Sequence, residues 1–104
     1  IAEGHGYGID EEEAMWLLSR DIERVAKDCE GAFNFWGDVS NNIRETLIML
    51  VFQMGLAGVQ RFSKMLRAIS QQDWPESAAQ LLDSRFATQT PARAKRMAKR
   101  LARG

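Results

Sequence analysis

The sequence predicts an all-α fold in which several short helices pack around one buried central helix. Two observations lead there directly. Positions 47–52 are apolar without interruption, whereas a helix that buries only one side would show polar residues at the i+1 and i+2 offsets. Most other apolar residues recur at three- and four-residue steps, the period of a helix face. No strand candidate survives beside them, and there is no internal repeat or low-complexity tract.

In chain order, residues 1–9 contain Gly4, Gly6 and Gly8 and read as a loop. A helical domain is expected over 10–104. Asp10 and Glu13 have capping-box spacing, which opens a helix by satisfying backbone N–H groups of its first turn. Along that helix Met15, Leu18, Ile22, Val25 and Cys29 form one apolar stripe with charges opposite. Residues 31–37 hold Phe33, Phe35 and Trp36, an aromatic linker expected to pin the first helix onto the next. Asp38 or Ser40 is placed to cap the central helix. That helix, over 43–54, would measure roughly 19 Å at about 1.5 Å per residue, short of the ~30 Å of a bilayer core, so no membrane span is expected. Gly55 and Gly58 follow where a left-handed C-terminal cap favours a residue without a Cβ.

Val59, Phe62, Leu66 and Ile69 then fall at helical spacing, and Gln71 with Gln72 ends that segment. Asp73 and Glu76 repeat the capping-box spacing, with Pro75 tolerated in a first turn because its missing N–H has no helical partner there. This helix is expected to run to about Ser84. Thr90 before Pro91 is a further cap-then-proline start. It predicts a basic helix over 91–102 with Ala94, Met97, Ala98 and Leu101 facing inward.

The chain has 104 residues and 45% hydrophobic content, which suits one domain with a single core. Fourteen basic and fourteen acidic residues cancel, so a strongly cationic nucleic-acid binder is excluded. The signs are segregated, however. Positions 10–30 carry eight acids against three bases, and positions 93–103 carry six bases and no acid. Cys29 is the single cysteine, which excludes an internal disulfide or a multi-cysteine metal site and suits a small buried hydrophobe. His5 has no ligand-type residue at metal spacing, so no metal or other cofactor is expected. No charged segment followed by an apolar one opens the chain, so no secretory leader is expected. The first residue, Ile1, suggests a processed product or part of a longer chain.

Several blocks carry a resemblance: V-F-Q-M-G at 51–55, Gly58 with Val59, Phe62 with Leu66, Q-Q-x-W at 71–74, Ala78 with Ala79, and S-R-F-x-x-Q-T-P-x-R-A-K-R at 84–96. Over 43–97 the chain resembles the C-terminal lobe of the T-even bacteriophage lysozymes, or endolysins, a muramidase family. G-I-D-E-E-E-A at 8–14, followed by Asp21, resembles the family segment that opens the long helix between its two lobes. The resemblance implies peptidoglycan glycan strands as substrate and a role as a phage-type lysozyme or its helical substrate-binding lobe. The alternative is a catalytically inactive, lysozyme-derived structural or cell-wall-binding domain of a phage particle. Other phage proteins, or an N-terminal lobe, are the implied partners. The implied location is the host cytoplasm or the phage particle, with action at the bacterial wall.

The family cleaves with an N-terminal glutamate as general acid, an aspartate nine positions on and a threonine six beyond; one carboxyl protonates the leaving oxygen while the other handles the water or the developing positive charge. Starting from Glu3 the later positions are Glu12 and Leu18, and from Glu12 they are Asp21 and Lys27. Neither set fits, and no catalytic residue is assigned. His5 after Gly4 is read as a remnant of that lobe's glycine-rich segment.

Phe52, Gln80, Gln89, Thr90 and Arg93 match family positions that line or neighbour the saccharide cleft and are the candidate substrate-binding residues. Met65 stands where the family has serine and Gln80 where it has asparagine, so the sugar contacts are expected to differ. Each has a plainer role beside it. Phe52 lies in the apolar run and suits core packing, and Thr90 is first of all a helix cap. Gln89 and Arg93 are polar beside a helix start, where N–H groups and a guanidinium could hold carboxylates of peptidoglycan, although a surface arginine is often merely solvated. The basic face of 93–103 suits an anionic wall, lipopolysaccharide phosphate or nucleic acid, with simple solvation as the default; it lacks the interleaved aromatics of a single-strand binder. Glu11, Glu12 and Glu13 suit a helix start, and Trp16, Trp36 and Trp74 suit packing anchors.

Overall fold

A computed structural model describes residues 21–104. The loop expected over 1–9, the helix start at Asp10 and Glu13, and Met15, Trp16 and Leu18 lie outside the described residues. Among those described there are six α-helices, one 3₁₀ turn and no strand.

Helix α1 (Asp21–Ala32) buries Val25 and Cys29, the described part of the expected stripe. The 3₁₀ turn Trp36–Asp38 follows. Phe33 and Phe35 are buried with their rings stacked 5.5 Å apart, and Trp36 lies 6.4 Å from Phe33. Arg44 closes the arrangement: its Nε donates to the Trp36 carbonyl at 2.8 Å, and its guanidinium sits 5.9 Å from the indole centre, within cation–π range. The aromatic linker thus fastens α1 to the central helix, as its composition suggested.

The central helix, α2 (Asn41–Gln60), starts at Ser40, whose hydroxyl accepts the Ile43 N–H at 3.2 Å. Asp38, the other candidate cap, is used up in the 3₁₀ turn. Ile43, Leu47 and Leu50 are fully buried and Met49 nearly so, and Val51 and Phe52 pack against this core from half-buried positions. At about 1.5–3 kcal/mol for each large side chain removed from water, this run anchors the molecule. Gly55 has φ +80° and ψ 160°, a conformation essentially reserved for glycine. It bends the helix instead of ending it, and helical backbone resumes to Gln60. Gly58 keeps a negative φ, contrary to the expected left-handed cap. A Cβ there would come within 3.0 Å of Met54 Cγ, so its smallness serves packing across the bend.

Helix α3 (Ser63–Ser70) presents Met65, Ala68 and Ile69 to the core and ends in a turn in which Gln72 takes φ 59°. Helix α4 (Trp74–Leu82) begins at Asp73, whose carboxylate accepts the Glu76 N–H, with proline in the first turn. It stops at Leu82, short of the Ser84 boundary expected, because Ser84 is itself a cap: its hydroxyl accepts the Ala87 N–H at 3.3 Å and opens the short helix α5 (Arg85–Gln89). Helix α6 (Pro91–Arg103) buries Ala94, Met97, Ala98 and Leu101, the four residues its periodicity indicated, and packs chiefly against α4. Among the described residues no single helix is long and apolar enough to cross a membrane.

Candidate functional site

Helix α6 meets α2 at two places. Near the start of α2, Asn42 Nδ2 donates to the Arg100 carbonyl at 2.7 Å and, at 3.4 Å, to that of Gly104, so it caps carbonyls that the end of α6 leaves unpaired. Arg100 reaches back, with Nε to Thr46 Oγ1 at 3.0 Å and Nη2 to Glu45 Oε1 at 2.8 Å. Thr46 is fully buried and donates to the Asn42 carbonyl at 2.8 Å, so the cluster is satisfied throughout. It is a structural clamp.

The second meeting point lies two turns along, just before the Gly55 bend. Arg93 Nη1 donates to Gln53 Oε1 at 2.9 Å. A guanidinium has only donors, so the amide must turn its oxygen toward Arg93 and its NH₂ away. That Nε2 is buried and meets no acceptor among the described residues. Beside this pair, Thr90, Pro91, Ala92, Arg93 and Arg96 line a depression of about 330 Å³. The start of α6 forms its wall, and first-turn N–H groups of a helix carry partial positive charge.

Thr90 behaves differently from the cap expected. Its side chain makes no capping bond to α6; the hydroxyl donates to the Phe86 carbonyl at 2.9 Å, as does its backbone N–H. The short helix α5 leaves terminal carbonyls in need of donors, and Thr90 supplies two to one of them. Gln89, next in sequence, is exposed at the end of α5. Phe52 is half-buried and packed against the core. Gln80 belongs elsewhere, in α4: its Nε2 donates to Glu76 Oε2 at 2.6 Å, and it helps line a separate depression of about 250 Å³ with Phe62, Lys64 and Asp83. Met65, at the position of the family's serine, also borders this depression although it is only 1% exposed. Of the five candidates, then, Thr90 and Arg93 share one depression and Gln80 lines another.

Gln53 was absent from those candidates. It is the only polar residue between Leu47 and Met54, and a lone amide inside an apolar run is the signal that could have singled it out. Cys29 is fully buried; burial, aided by the Asp28 charge, pushes its thiol from 9.0 up to about 11, which makes it a poor nucleophile at neutral pH. Among the described residues no group of three or more His, Cys, Asp or Glu side chains is arranged to hold a metal ion.

Comparison with known proteins now bears on this geometry. The chain is 37% identical over 92 residues to probable T4-type lysozyme 2 of Dictyostelium discoideum, covering 86% of this chain and 54% of the relative. Probable T4-type lysozyme 1 of the same organism is 28% identical with the same coverage. The pre-baseplate central spike protein Gp5 of Enterobacteria phage T4 is 32% identical over 97 residues, 90% of this chain and 17% of the spike protein. The chain therefore spans about half the length of the two lysozyme relatives and a smaller part of the spike. No solved structure matches at a comparable level. The family model described as phage lysozyme matches residues 1–102, and with nearly every position accounted for the chain belongs to the phage lysozyme family.

Proposed function

We propose that this chain is the helical lobe of a phage-type lysozyme, a peptidoglycan muramidase, and that it supplies one wall of the saccharide cleft. The observation that carries this is the Gln53–Arg93 pair: a guanidinium held by an amide oxygen beside a buried amide N–H that faces no acceptor among the described residues. A guanidinium oriented in this way at a helix start suits the acceptor-rich glycan and its lactyl or peptide carboxylates. Thr90 borders the same depression, and Gln89 adjoins it in sequence. Gln80 would meet a neighbouring part of the substrate, and Phe52 would support the cleft from the core side.

Glycoside hydrolysis needs a proton donor and a second carboxylate flanking the scissile bond. The family spacing for such a set is not met within these 104 residues, so cleavage is assigned to the combination of this lobe with an acid-bearing one, acting at the bacterial wall. The match to the phage spike protein over 90% of the chain favours a second role, a wall-binding domain within a phage particle. Sedimentation with purified sacculi, together with turbidity clearing of permeabilised Gram-negative walls, tests both. Retention without clearing is expected of the 104-residue chain, and Arg93→Met should lower retention about tenfold, the worth of one charge-assisted hydrogen bond of about 1.5 kcal/mol. Clearing by the chain alone would overturn the division of labour, and failure to bind N-acetylglucosamine oligomers would overturn the glycan cleft.

A further inference from the structure

Helix α6 carries a second feature that the cleft does not use. Lys95, Lys99 and Arg103 are all exposed and recur every four residues, so they form one row on the side of the helix turned away from the buried Ala94, Met97, Ala98 and Leu101. Like charges four apart on a helix repel, at a cost of about 0.2–0.5 kcal/mol per pair. Positions 91–104 contain no acid to offset it, and among the described residues no carboxylate forms an ion pair with any of the three. Among the described acids, Glu45 pairs with this helix through Arg100. In a chain of zero net charge this is a segregated, single-sign face. It begins at the turn that carries Arg93 and continues about 15 Å along the helix from there, at about 1.5 Å per residue.

We infer that this row is a docking surface for the carboxylate-bearing peptide lattice of the cell wall, continuous with the cleft and separate from it in action. The inference rests on the proposed wall-binding role and deepens it: the cleft selects the glycan, and the row holds the chain against the polyanion around it. Charge complementarity chooses this partner over two others. A helix that lies in a lipid interface inserts its apolar face, but here that face is spent on the core, with Ala94, Met97 and Leu101 fully buried and Ala98 4% exposed. Single-stranded nucleic acid is disfavoured because no aromatic side chain interrupts the row to stack on bases. Attraction through exposed charges also predicts strong screening, since the Debye length falls to about 8 Å at physiological salt.

The test is sedimentation of the full 104-residue chain with native sacculi and with sacculi whose carboxyls have been amidated, each across a salt series. Binding to neutral N-acetylglucosamine oligomers is measured in parallel. The chain and the triple variant Lys95→Gln/Lys99→Gln/Arg103→Gln should bind the oligomers equally, which also shows that the variant is folded. On native sacculi at low salt the variant should be retained about tenfold less, and the gap should close as salt rises. On amidated sacculi the two should be alike. Equal retention of both proteins on native sacculi, or an unchanged gap after amidation, overturns the docking surface. Tighter binding to phosphatidylglycerol-containing vesicles or duplex DNA than to sacculi also overturns it. Loss of oligomer binding by the unmodified chain would instead count against the cleft, and the two failures are therefore distinguishable.

Discussion

Arg100 and Arg93 lie two turns apart on the same helix, and both bond to α2, yet their surroundings differ. Arg100 meets a carboxylate and a buried hydroxyl, while Asn42 caps the carbonyl of the same residue. Arg93 meets an amide oxygen on α2, a neutral acceptor that fixes the orientation of the guanidinium. The first contact is closed on itself and holds two helices together. The second holds a cation in place beside a donor that has no acceptor among the described residues. The two contacts between the same pair of helices thus differ in the chemistry α2 offers: a carboxylate and a hydroxyl at one, a neutral amide at the other.

Substitutions can break or sharpen this contrast. The largest effect should come from Leu47→Ala, in the rod that carries both contacts. It should lower stability by about 3–5 kcal/mol in urea unfolding, a range for buried leucine truncations established largely in a phage lysozyme. Next comes alkaline pH. The Cys29 thiol is held at about 11 against 9.0 when unfolded, so the folded state favours the protonated form. That stabilisation is complete below pH 9 and is lost as pH rises from 9 to 11, by about 3 kcal/mol. Neither arginine contact involves Cys29, so Asn42→Ala and Arg93→Met should share this slope, and Cys29→Ala should flatten it.

Gly55→Ala should cost about 1–2 kcal/mol, because no neighbour blocks a Cβ there and the penalty is the positive φ alone. Its effect on wall retention should exceed that of Asn42→Ala, since Gly55 adjoins the Gln53 end. Asn42→Ala should cost about 1 kcal/mol for its lost hydrogen bond and leave wall retention unchanged. Arg93→Met should cost about 1–2 kcal/mol by urea unfolding, because it leaves Gln53 Oε1 without its donor, and it is set apart from Asn42→Ala by the tenfold loss of retention already given. A variant at Arg100 that lost wall binding while keeping its stability would erase the contrast between the two arginines.

Much of the fold was legible because burial and capping leave local marks. The uninterrupted apolar run gave the core helix, the three- and four-residue steps gave the inner face of α6, and Asp73 with Glu76 gave the start of α4. Helix α5 was not legible: five residues are too few to show a period, and Ser84 looked like a terminus when it was a beginning. Thr90 misled for a related reason, since a hydroxyl before proline can bond forward or back, and only the neighbouring helix end decides. Arg93 was legible as a candidate from the T-P-x-R motif. Its partner Gln53 was not, because the two stand 40 positions apart and nothing local records which face of α2 looks toward α6.

The bend at Gly55 also separates the central helix into two stretches that need not open together. Residues 41–54 are largely enclosed, whereas Gly55, Ala57 and Gln60 are exposed, and an interrupted backbone ladder gives the outer stretch its own opening equilibrium. Amide protons of 56–60 should therefore exchange with deuterium well before those of 46–50. Because Gln53 lies on the slow side of the boundary, fraying of the outer stretch would leave the amide that orients Arg93 where it stands.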